Sequence, residues 1–372
     1  MRLPTLWKIK RELLRPVHQF LDLPYNLATR LFGARYFDHF KKVQSHYGEH
    51  PLKSKVAVYV VFPKRSSINQ SYFRTLSYLN KNDYSVVIVS NAPLSDEDVS
   101  ALKTVSAQLI IRPNFGYDFG GYRQGILFLL EQKVQISRLL LLNDSCWFPT
   151  FYEVNWLQIA EEENLDLVGF TSNYGIDRKW GQRGYRSTRW EYLSTHKNFH
   201  YCSFALLFSE KIIYHSSFIN FWKRFPLTDR KSKVVRRGEI GLTRLVLSGD
   251  FSHGETFKIQ NLSDQLSRLN YNDLLNIFLN LIIPEDRDLQ ADHERAVRDE
   301  TFDRDFLEHF ILRSVARQGA SYGLAYFISA LREAPFLKKS PFFADKKSRA
   351  NSMKCLELLP AEVSQEIHSE IA

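Results

Sequence analysis

The stretch RPNFGYDFGGYRQG, residues 112–125, joins an apolar run at 109–111 to a helix-like apolar run at 126–130. It holds four glycines, one asparagine and one aspartate. Glycine lets the backbone turn sharply and lets a ligand approach closely, and a helix start offers free N–H groups to an anion. Two interpretations are open: a ligand-binding loop, or a tight strand-to-helix turn with close helix packing. The spacing matches neither GxGxxG nor a loop ending in GKS or GKT, so it supports no Rossmann dinucleotide site and no P-loop.

Outward from this loop, short apolar runs alternate with helical patterns. Strands are predicted at VAVYVVF (56–62), YSVVIVSN (84–91), AQLIIRPN (107–114), RLLLLND (138–144) and LDLVGF (165–170). Helices are predicted between them, at 67–81, at 95–103 with Ser95 as N-cap, from a cap at Asp118 to about Lys133, and from a Thr150–Glu153 capping box to Glu163. This alternation with short connections is typical of an α/β fold with a mostly parallel sheet flanked by helices.

Beyond residue 170 the patterns become less regular. Residues 174–190 read as a long basic loop, FHYCSFALLF (199–208) as a strand, SSFINFWKRF (216–225) as a helix, and GEIGLTRLVLSGDF (238–251) as a helix that ends at Gly249. After about residue 266 the chain reads as mainly helical, without a chemical motif. We therefore expect a helical arm at 1–55, an α/β domain at 56–265 and a helical C-terminal region at 266–372.

Ligands of parallel α/β sheets bind beyond the carboxyl ends of the strands. The candidate binding residues are those that follow the apolar runs: Asn91, Asn114, Gly116, Asp118, Gly121, Asn143, Asp144 and Ser145. Asp144 ends a buried strand that we expect beside the glycine-rich loop. A carboxylate there suits a divalent metal that bridges a diphosphate, or a sugar hydroxyl. The alternative is that Asp144 only caps a turn.

Two further features suggest chemistry. Glu239 begins a predicted helix, where the helix dipole favours its ionised form; an ordinary first-turn glutamate is the alternative. Arginines in the long basic loop, Arg183 and Arg186 among them, are suited to neutralise a diphosphate. Their alternative is a solvated surface.

The charge of the chain is concentrated at its beginning. The whole sequence carries a formal net charge of +9, and residues 1–55 hold eleven basic against four acidic residues, a net +7. Apolar side chains recur between these bases, so the arm could lie on an anionic membrane surface or pack on the main domain. No nucleic-acid-binding motif accompanies the charge. Three widely separated cysteines and the absence of a long apolar run predict a cytoplasmic protein, or one that is peripheral on the inner face of the cell membrane.

Four segments together resemble the rhamnan synthesis protein F family: RPNFGYDFGGYRQGI, LLLLNDSCWFP, FHYCSFALLF and GEIGLTRLVLSGDF. The resemblance covers about residues 56 to 260. The family is associated with bacterial cell-surface polysaccharide synthesis, contains rhamnosyltransferases and is similar to GT-A glycosyltransferases. It implies that Asn114, Gly116 and Asp118 lie beside a nucleotide sugar, and that residues 143–145 replace an Asp-x-Asp element that holds metal and diphosphate. Glu239 takes the place of a catalytic acidic residue.

The resulting prediction is a GT-A-like glycosyltransferase that moves a hexosyl group from a nucleotide sugar to a growing surface polysaccharide or lipid-linked glycan. dTDP-rhamnose as donor and Mg²⁺ or Mn²⁺ at Asp144 are implied by the resemblance. Because only one acid stands where two are usual, metal dependence is open. Two alternatives remain: a nucleotidyltransferase that acts on a sugar phosphate, and a non-catalytic assembly protein of a polysaccharide synthesis complex.

Overall fold

A computed structural model describes residues 22–63, 68–181, 189–284, 286–300, 302–332 and 334–372. Its strands are β1 (Gln44–Tyr47), β2 (Lys55–Val61), β3 (Ser85–Ser90), β4 (Gln108–Ile111), β5 (Arg138–Asn143), β6 (Cys146–Trp147), β7 (Leu167–Gly169), β8 (Ser172–Asn173), β9 (His200–Tyr201), β10 (Ala205–Ser209), β11 (His253–Glu255) and β12 (Leu337–Lys338). Eight of them form one sheet in the order β1-β4-β3-β2-β5-β10-β7-β11. Strands β4, β3, β2 and β5 are mutually parallel, whereas β1 and β10 run antiparallel to their neighbours. The expected α/β fold with a mostly parallel sheet is confirmed.

The first part of the chain supplies helices α1 (Leu23–Phe40), α2 (Gln70–Lys81), α3 (Asp96–Lys103), α4 (Tyr117–Glu131), α5 (Trp156–Glu162), α6 (Glu210–Ile213), α7 (Ser216–Lys223), α8 (Lys231–Val235) and α9 (Gly241–Ser248). The C-terminal region supplies α10 (Leu262–Ser267), α11 (Tyr271–Leu279), α12 (Arg287–Asp299), α13 (Arg304–Gln318), α14 (Ala320–Gly323), α15 (Ala325–Leu331), α16 (Lys346–Leu356) and α17 (Ala361–Ile371). Short 3-10 turns lie at Ile259–Asn261 and Ser340–Phe343. The predicted helical character of the C-terminal region agrees with these bounds.

The sheet has an apolar core on each face. Alternate residues of β2 belong to two different apolar clusters, one on each face. Ala57 and Tyr59 pack with α2 in one cluster, and Val58 and Val60 pack with α4 in the other. A strand with apolar residues at consecutive positions is the pattern expected of a strand covered on both faces. The helices therefore lie on both sides of the sheet, as the alternation of the sequence predicts.

Two predicted elements differ from the structure. The run 199–208 forms two strands, β9 and β10, and β10 runs antiparallel between β5 and β7. The predicted helix from Thr150 begins only at Trp156 in α5, where the side chain of Asn155 accepts from the Gln158 N–H at 3.3 Å. The backbone N–H of Thr150 donates instead to the Pro335 carbonyl at 3.0 Å, so the C-terminal region holds this segment outside a helix.

The C-terminal region shares the core of the α/β part. Phe336 stacks on Phe148 with ring centroids 4.3 Å apart, and β12 pairs antiparallel with β6. One apolar cluster extends from Ala57 in β2 to Phe336. The boundary that we expected near residue 265 falls inside α10, and the two parts are joined by packing as well as by the chain.

The arm is described from residue 22 onward, and residues 1–21 lie outside the described part. Within α1, Gly33 approaches the backbone of Leu227 so closely that a Cβ would lie 2.2 Å from its carbonyl oxygen. The Phe37 ring stacks on Phe115, and Asp38 forms a bidentate ion pair with Arg123 at 2.7 and 2.8 Å. The helix is thereby fixed beside the glycine-rich loop. Within the described residues, none of the helices has both the length and the apolar character needed to cross a membrane.

Candidate active site

The glycine-rich stretch forms a braced turn between β4 and α4. Gly116 is the N-cap of α4 and has a φ of +89°, a conformation that glycine adopts without a steric penalty. The buried Arg112 holds the turn by donating to the Asn91 side-chain oxygen and to the Phe115 carbonyl, both at 2.6 Å. The Asn91 amide donates in turn to the Tyr117 carbonyl at 3.1 Å. Asn91, predicted to bind a ligand, therefore has both ends of its amide engaged in bracing the turn.

Gly121 serves packing in this structure. A Cβ at this position would lie 2.7 Å from Cγ1 of Val60, so its absence lets α4 lie close against β2. Gly121 thus has a packing role in this structure, and its ligand contact stays a prediction. Asn114 is exposed in the loop between β4 and α4. Asp118 is not the N-cap that we expected, because Gly116 takes that position and Asp118 lies in the first turn of α4.

Asp118 connects the loop to the end of β5. The Asn143 side-chain amide donates to Asp118 Oδ2 at 3.1 Å, and its oxygen accepts from the Ser145 N–H at 3.0 Å. Burial raises the pKa of Asp118 to about 7, and the nearby negative charge of Asp144 adds to the rise. The glycine-rich loop and the strand end that the sequence singled out thus meet at one edge of the sheet.

Asp144 is held in a defined orientation beside this contact. Its Oδ2 accepts from the Phe62 backbone N–H and from the Tyr72 hydroxyl, each at 2.7 Å. Its own N–H donates to the Val60 carbonyl at 3.1 Å, which continues the pairing of β5 with β2. The side chain remains partly accessible. A carboxylate fixed by two donors on one oxygen is preorganised to present the other oxygen to a ligand.

Glu239 lies in an unexpected kind of structure. It sits in a single π-helical turn, Arg236–Ile240, that joins α8 to α9 without interruption. The expectation of a helix N-terminus, with its favourable dipole, is therefore wrong. Gly238 lets this turn pack on Phe119 of α4, since a Cβ would lie 2.5 Å from the ring. Single π turns inside helices occur often at functional sites.

The carboxylate of Glu239 has two partners from the segment around β9. The Ser203 hydroxyl donates to Glu239 Oε1 at 2.6 Å, and His200 Nε2 lies 3.4 Å from Oε2. The other ring nitrogen of His200 is 2.8 Å from the Asn198 carbonyl. Tyr122 of α4 donates to the Ser203 carbonyl at 2.7 Å, which ties this group to the glycine-rich helix. The break between β9 and β10 is what brings Ser203 to Glu239.

Lys338 of β12 enters the site from the C-terminal region, where sequence reasoning found no chemistry. Its Nζ donates to Ser145 Oγ at 3.0 Å and lies 4.1 Å from the centre of the Phe204 ring. Burial lowers the pKa of Lys338, and the electrostatic influence of Cys146, Tyr322, Cys202 and Glu239, in that order, raises it more, so that the net shift is upward. A two-residue strand carries no periodicity, so no local pattern could have revealed this contact.

A cavity of about 550 Å³ adjoins the Glu239 side of the site. Its lining includes His200 and Tyr174, together with the cationic side chains of Lys197, Arg236 and Arg244. A second cavity of about 240 Å³ shares Tyr174 and His200 with it. Space for a polar or anionic ligand is therefore available beside His200, whose Nε2 lies 3.4 Å from the Glu239 carboxylate.

Metal binding is supported at one position at most. Within the described residues, no group of three or more His, Cys, Asp or Glu side chains is arranged to hold a metal ion. A Mg²⁺ ion that keeps several waters can be held by a single carboxylate together with substrate phosphates, and Asp144 fits that lesser requirement. Arg183 and Arg186, predicted to face a diphosphate, lie outside the described residues.

The sheet and the polar groups at its edge define an α/β protein whose candidate site lies at the carboxyl ends of parallel strands. The model of the rhamnan synthesis protein F family matches residues 86–313, and the chain belongs to that family. This membership agrees with the resemblance of its motifs.

Two curated relatives match about half of the chain. The uncharacterized protein y4gN of Sinorhizobium fredii is 32% identical over 197 residues, which are 53% of this chain and 47% of that protein. The virulence protein VirA of Vibrio anguillarum is 30% identical over 198 residues, 51% of this chain and 55% of that protein. The chain thus spans about half the length of these relatives.

Among solved structures, core-mannan synthase A from Aspergillus fumigatus in its Mn/GDP form aligns with 54% of this chain and 74% of its own. The TM-score is 0.28 and the identity is 9%. Similarity at this level carries no conclusion about the site.

Proposed function

We propose that the protein is a GT-A-like glycosyltransferase that transfers a sugar from a nucleotide-sugar donor to a hydroxyl of a growing surface polysaccharide or lipid-linked glycan. Family membership supports the general role. The observation that carries the proposal is the hydrogen bond between Asn143 and Asp118, which joins the glycine-rich loop to the strand end beside Asp144. In this proposal, a donor site and a potential base, Glu239, share one edge of the sheet.

The donor side of the proposed site lies between the glycine-rich turn and Asp144. Asn114 and the Gly116 turn would flank the nucleotide, and Asp118 is positioned to accept from a sugar or ribose hydroxyl. Asp144 would hold a divalent metal, which when bound neutralises charge on the diphosphate. Mg²⁺ or Mn²⁺ as that metal, and dTDP-rhamnose as donor, remain part of this proposal and follow from the resemblance of the family.

Glu239 is the proposed general base on the acceptor side. Its carboxylate takes the proton from the acceptor hydroxyl while that oxygen forms a bond to the anomeric carbon. The bond from the anomeric carbon to the phosphate oxygen breaks, and the nucleoside diphosphate leaves with the electron pair. The hydrogen bond from Ser203 and the proximity of His200 would hold the carboxylate in one orientation toward the cavity that His200 lines.

We also propose that α1 lies against an anionic membrane surface. Leu23, Leu27 and Leu31 follow one another at four-residue spacing and are each more than half exposed, at 57%, 55% and 56%. Arg30 and Arg35 are exposed on the same helix. Because Gly33 and Phe37 face the domain, the outward face is apolar with basic flanks, a composition suited to the headgroup region of an anionic bilayer.

The direct test of the proposed activity is a titration of the purified protein with nucleoside diphosphates, with and without Mg²⁺. A donor screen with an extract of lipid-linked acceptors, analysed by mass spectrometry, then identifies the transferred sugar. We expect at least one diphosphate to bind and one donor to give a product larger by one glycosyl unit. Absence of binding to any diphosphate would instead support an assembly protein without catalysis.

A further inference from the structure

The position of Lys338 is fixed by backbone pairing directly after Asp144. Strand β12 pairs antiparallel with β6, and Lys338 lies opposite Cys146. The N–H of Lys339 donates to the Ser145 carbonyl at 3.0 Å. The C-terminal region therefore reaches the sheet edge in a defined register, and the register determines which of its side chains enters the site.

Apolar side chains on both sides of this pairing make the position rigid. Leu337 is 1% exposed and packs in a cluster with Trp147, while Phe336 stacks between Phe148 and Phe170 at centroid distances of 4.3 and 4.9 Å. A side chain attached to such a fixed backbone loses less conformational entropy when it binds a ligand. The lysine is thus carried by a rigid element rather than by a mobile surface segment.

The ammonium group of Lys338 has unused hydrogen-bonding capacity. It has three N–H donors; across the described residues it donates to Ser145 Oγ at 3.0 Å and to the Cys146 side chain, and no carboxylate lies within the 4.0 Å of an ion pair. The adjacent Lys339 differs, because its Nζ lies 3.6 Å from the Glu370 carboxylate. The Lys338 ammonium therefore keeps one N–H donor for a further acceptor at the edge of the sheet.

We propose that Lys338 binds the diphosphate of the nucleotide-sugar donor and stabilises the negative charge that develops on it during transfer. The inference rests on the proposed glycosyltransferase function and assigns the main cationic contact to the C-terminal region. The remaining N–H donor of Lys338 is assigned to a phosphate oxygen. As the bond between the anomeric carbon and the phosphate oxygen breaks, that oxygen gains charge and the ammonium donates a hydrogen bond to it. The lysine proton is not transferred.

The assignment explains why a single acid at the strand end suffices. A site that binds a diphosphate through two acids needs divalent metal to reverse their charge, whereas Lys338 contributes a positive charge directly. Beside Lys338, the Asp144 carboxylate can contact a sugar hydroxyl or one hydrated metal ion. We therefore expect part of the diphosphate affinity to persist when divalent metals are chelated.

The test compares Lys338→Met with the matched control Lys339→Met. Calorimetry measures the affinity of the full chain for a panel of nucleoside diphosphates and the corresponding monophosphates, in EDTA and in Mg²⁺. We expect Lys338→Met to weaken diphosphate binding in EDTA by about tenfold or more, as for loss of one charge-assisted hydrogen bond, and monophosphate binding by less. Lys339→Met should stay within about twofold of wild type.

Lys338→Arg retains the charge and should recover part of the affinity. Thermal unfolding checks that Lys338→Met is folded. If Lys338→Met binds diphosphates as tightly as the wild type does, the role assigned to Lys338 is overturned, whereas the proposed function is not. Failure of the wild type to bind any diphosphate would overturn the proposed function itself. If Lys338→Met does not fold, Lys338→Gln is measured in its place against the same criteria.

Discussion

Asn143 donates a hydrogen bond to Asp118 over 3.1 Å, and this contact joins the last residue of β5 to the first turn of α4. The two residues are separated by a whole helix and a strand in the sequence. Their contact closes the edge of the sheet into one polar site that also contains Asp144. The position of the donor in our proposal depends on this contact.

The raised pKa of Asp118 makes stability depend on pH. A carboxyl group that binds its proton more tightly in the folded chain favours folding at low pH. This contribution is complete below about pH 4, the ordinary pKa range, and is lost as the pH rises through the folded pKa of about 7. Since Asn stays neutral, we expect Asp118→Asn to gain stability relative to wild type between pH 4 and 8, by on the order of 2 kcal/mol after allowance for solvent screening.

Urea unfolding at several pH values measures this difference. Asp83→Asn is the control, because the hydrogen bond and charge of Lys53 lower the pKa of Asp83 on the surface. That variant should lose a little stability, relative to wild type, as the pH rises. A difference for Asp118→Asn that does not vary with pH would contradict the raised pKa.

Replacement of the proposed base should affect turnover more than binding. Glu239→Gln keeps an oxygen that can accept from Ser203 but cannot take a proton, so we expect the rate of transfer to fall by about 10² to 10⁴. Ser203→Ala removes only the orienting hydrogen bond and should reduce the rate by about tenfold or less. Steady-state kinetics with the donor identified by the screen distinguishes the two. Near-normal turnover by Glu239→Gln would exclude it as the base.

Asp144 is expected to matter for donor binding. Asp144→Ala removes the acceptor that Phe62 N–H and Tyr72 share, and with it the carboxylate proposed to face the donor. We expect affinity for the nucleotide sugar, measured by calorimetry in Mg²⁺, to fall by about tenfold or more. Tyr72→Phe leaves the carboxylate in place and should have a smaller effect. Unchanged affinity in Asp144→Ala would mean that the donor binds elsewhere.

The packing role of Gly121 against β2 can be tested by substitution. Gly121→Ala would bring a Cβ within 2.7 Å of the Val60 side chain, and overpacking of this kind typically costs about 1–3 kcal/mol of unfolding free energy. Gly241→Ala is the control, because the nearest atom would lie 3.5 Å away, in Phe221. Alanine in that helix should be neutral or stabilising by about 0.5–1 kcal/mol. Equal effects of the two changes in urea unfolding would contradict the packing role.

The membrane contact of α1 can be tested with vesicles. We expect Leu27→Glu and Leu31→Glu each to reduce cosedimentation with vesicles of phosphatidylserine and phosphatidylcholine by several-fold, because each removes apolar contact and adds negative charge. Leu279→Glu changes a leucine that is 38% exposed on α11 and should leave cosedimentation unchanged. Binding that is insensitive to all three changes would show that α1 is not the contact.

Local patterns predicted the elements that depend mainly on neighbouring residues. The five strands from 56 to 170 and the N-cap at Ser95, whose side chain accepts from the Asp98 N–H at 3.1 Å, follow from hydrophobic runs and capping residues. The contact of the glycine-rich loop with the end of β5 was expected because parallel strands end at one edge. The predictions that were wrong concern elements whose positions depend on pairing between residues far apart in the sequence.

The direction of β10 and the contribution of the C-terminal region to the candidate site show what local patterns do not predict. A buried run such as 205–208 carries no mark of whether it lies parallel or antiparallel, so the reversed β10 was missed. Lys338 belongs to a two-residue strand whose partner, Cys146, lies almost two hundred residues earlier. The sequence singles out Glu239 as a candidate, but its π-helical setting depends on packing of Gly238 against Phe119 rather than on composition.

Because of the π-helical turn at Arg236–Ile240, the position of the Glu239 side chain depends on the number of residues in this helix as well as on their identity. A single π turn accommodates one residue more than the α-helix around it, and one residue rotates an α-helix by about 100°. Deletion of one residue within the turn would let the backbone run as a regular helix while swinging the carboxylate away from Ser203. A change of one residue in the length of this helix would therefore break the contact of Glu239 with Ser203 while Glu239 and Ser203 themselves remain in the sequence.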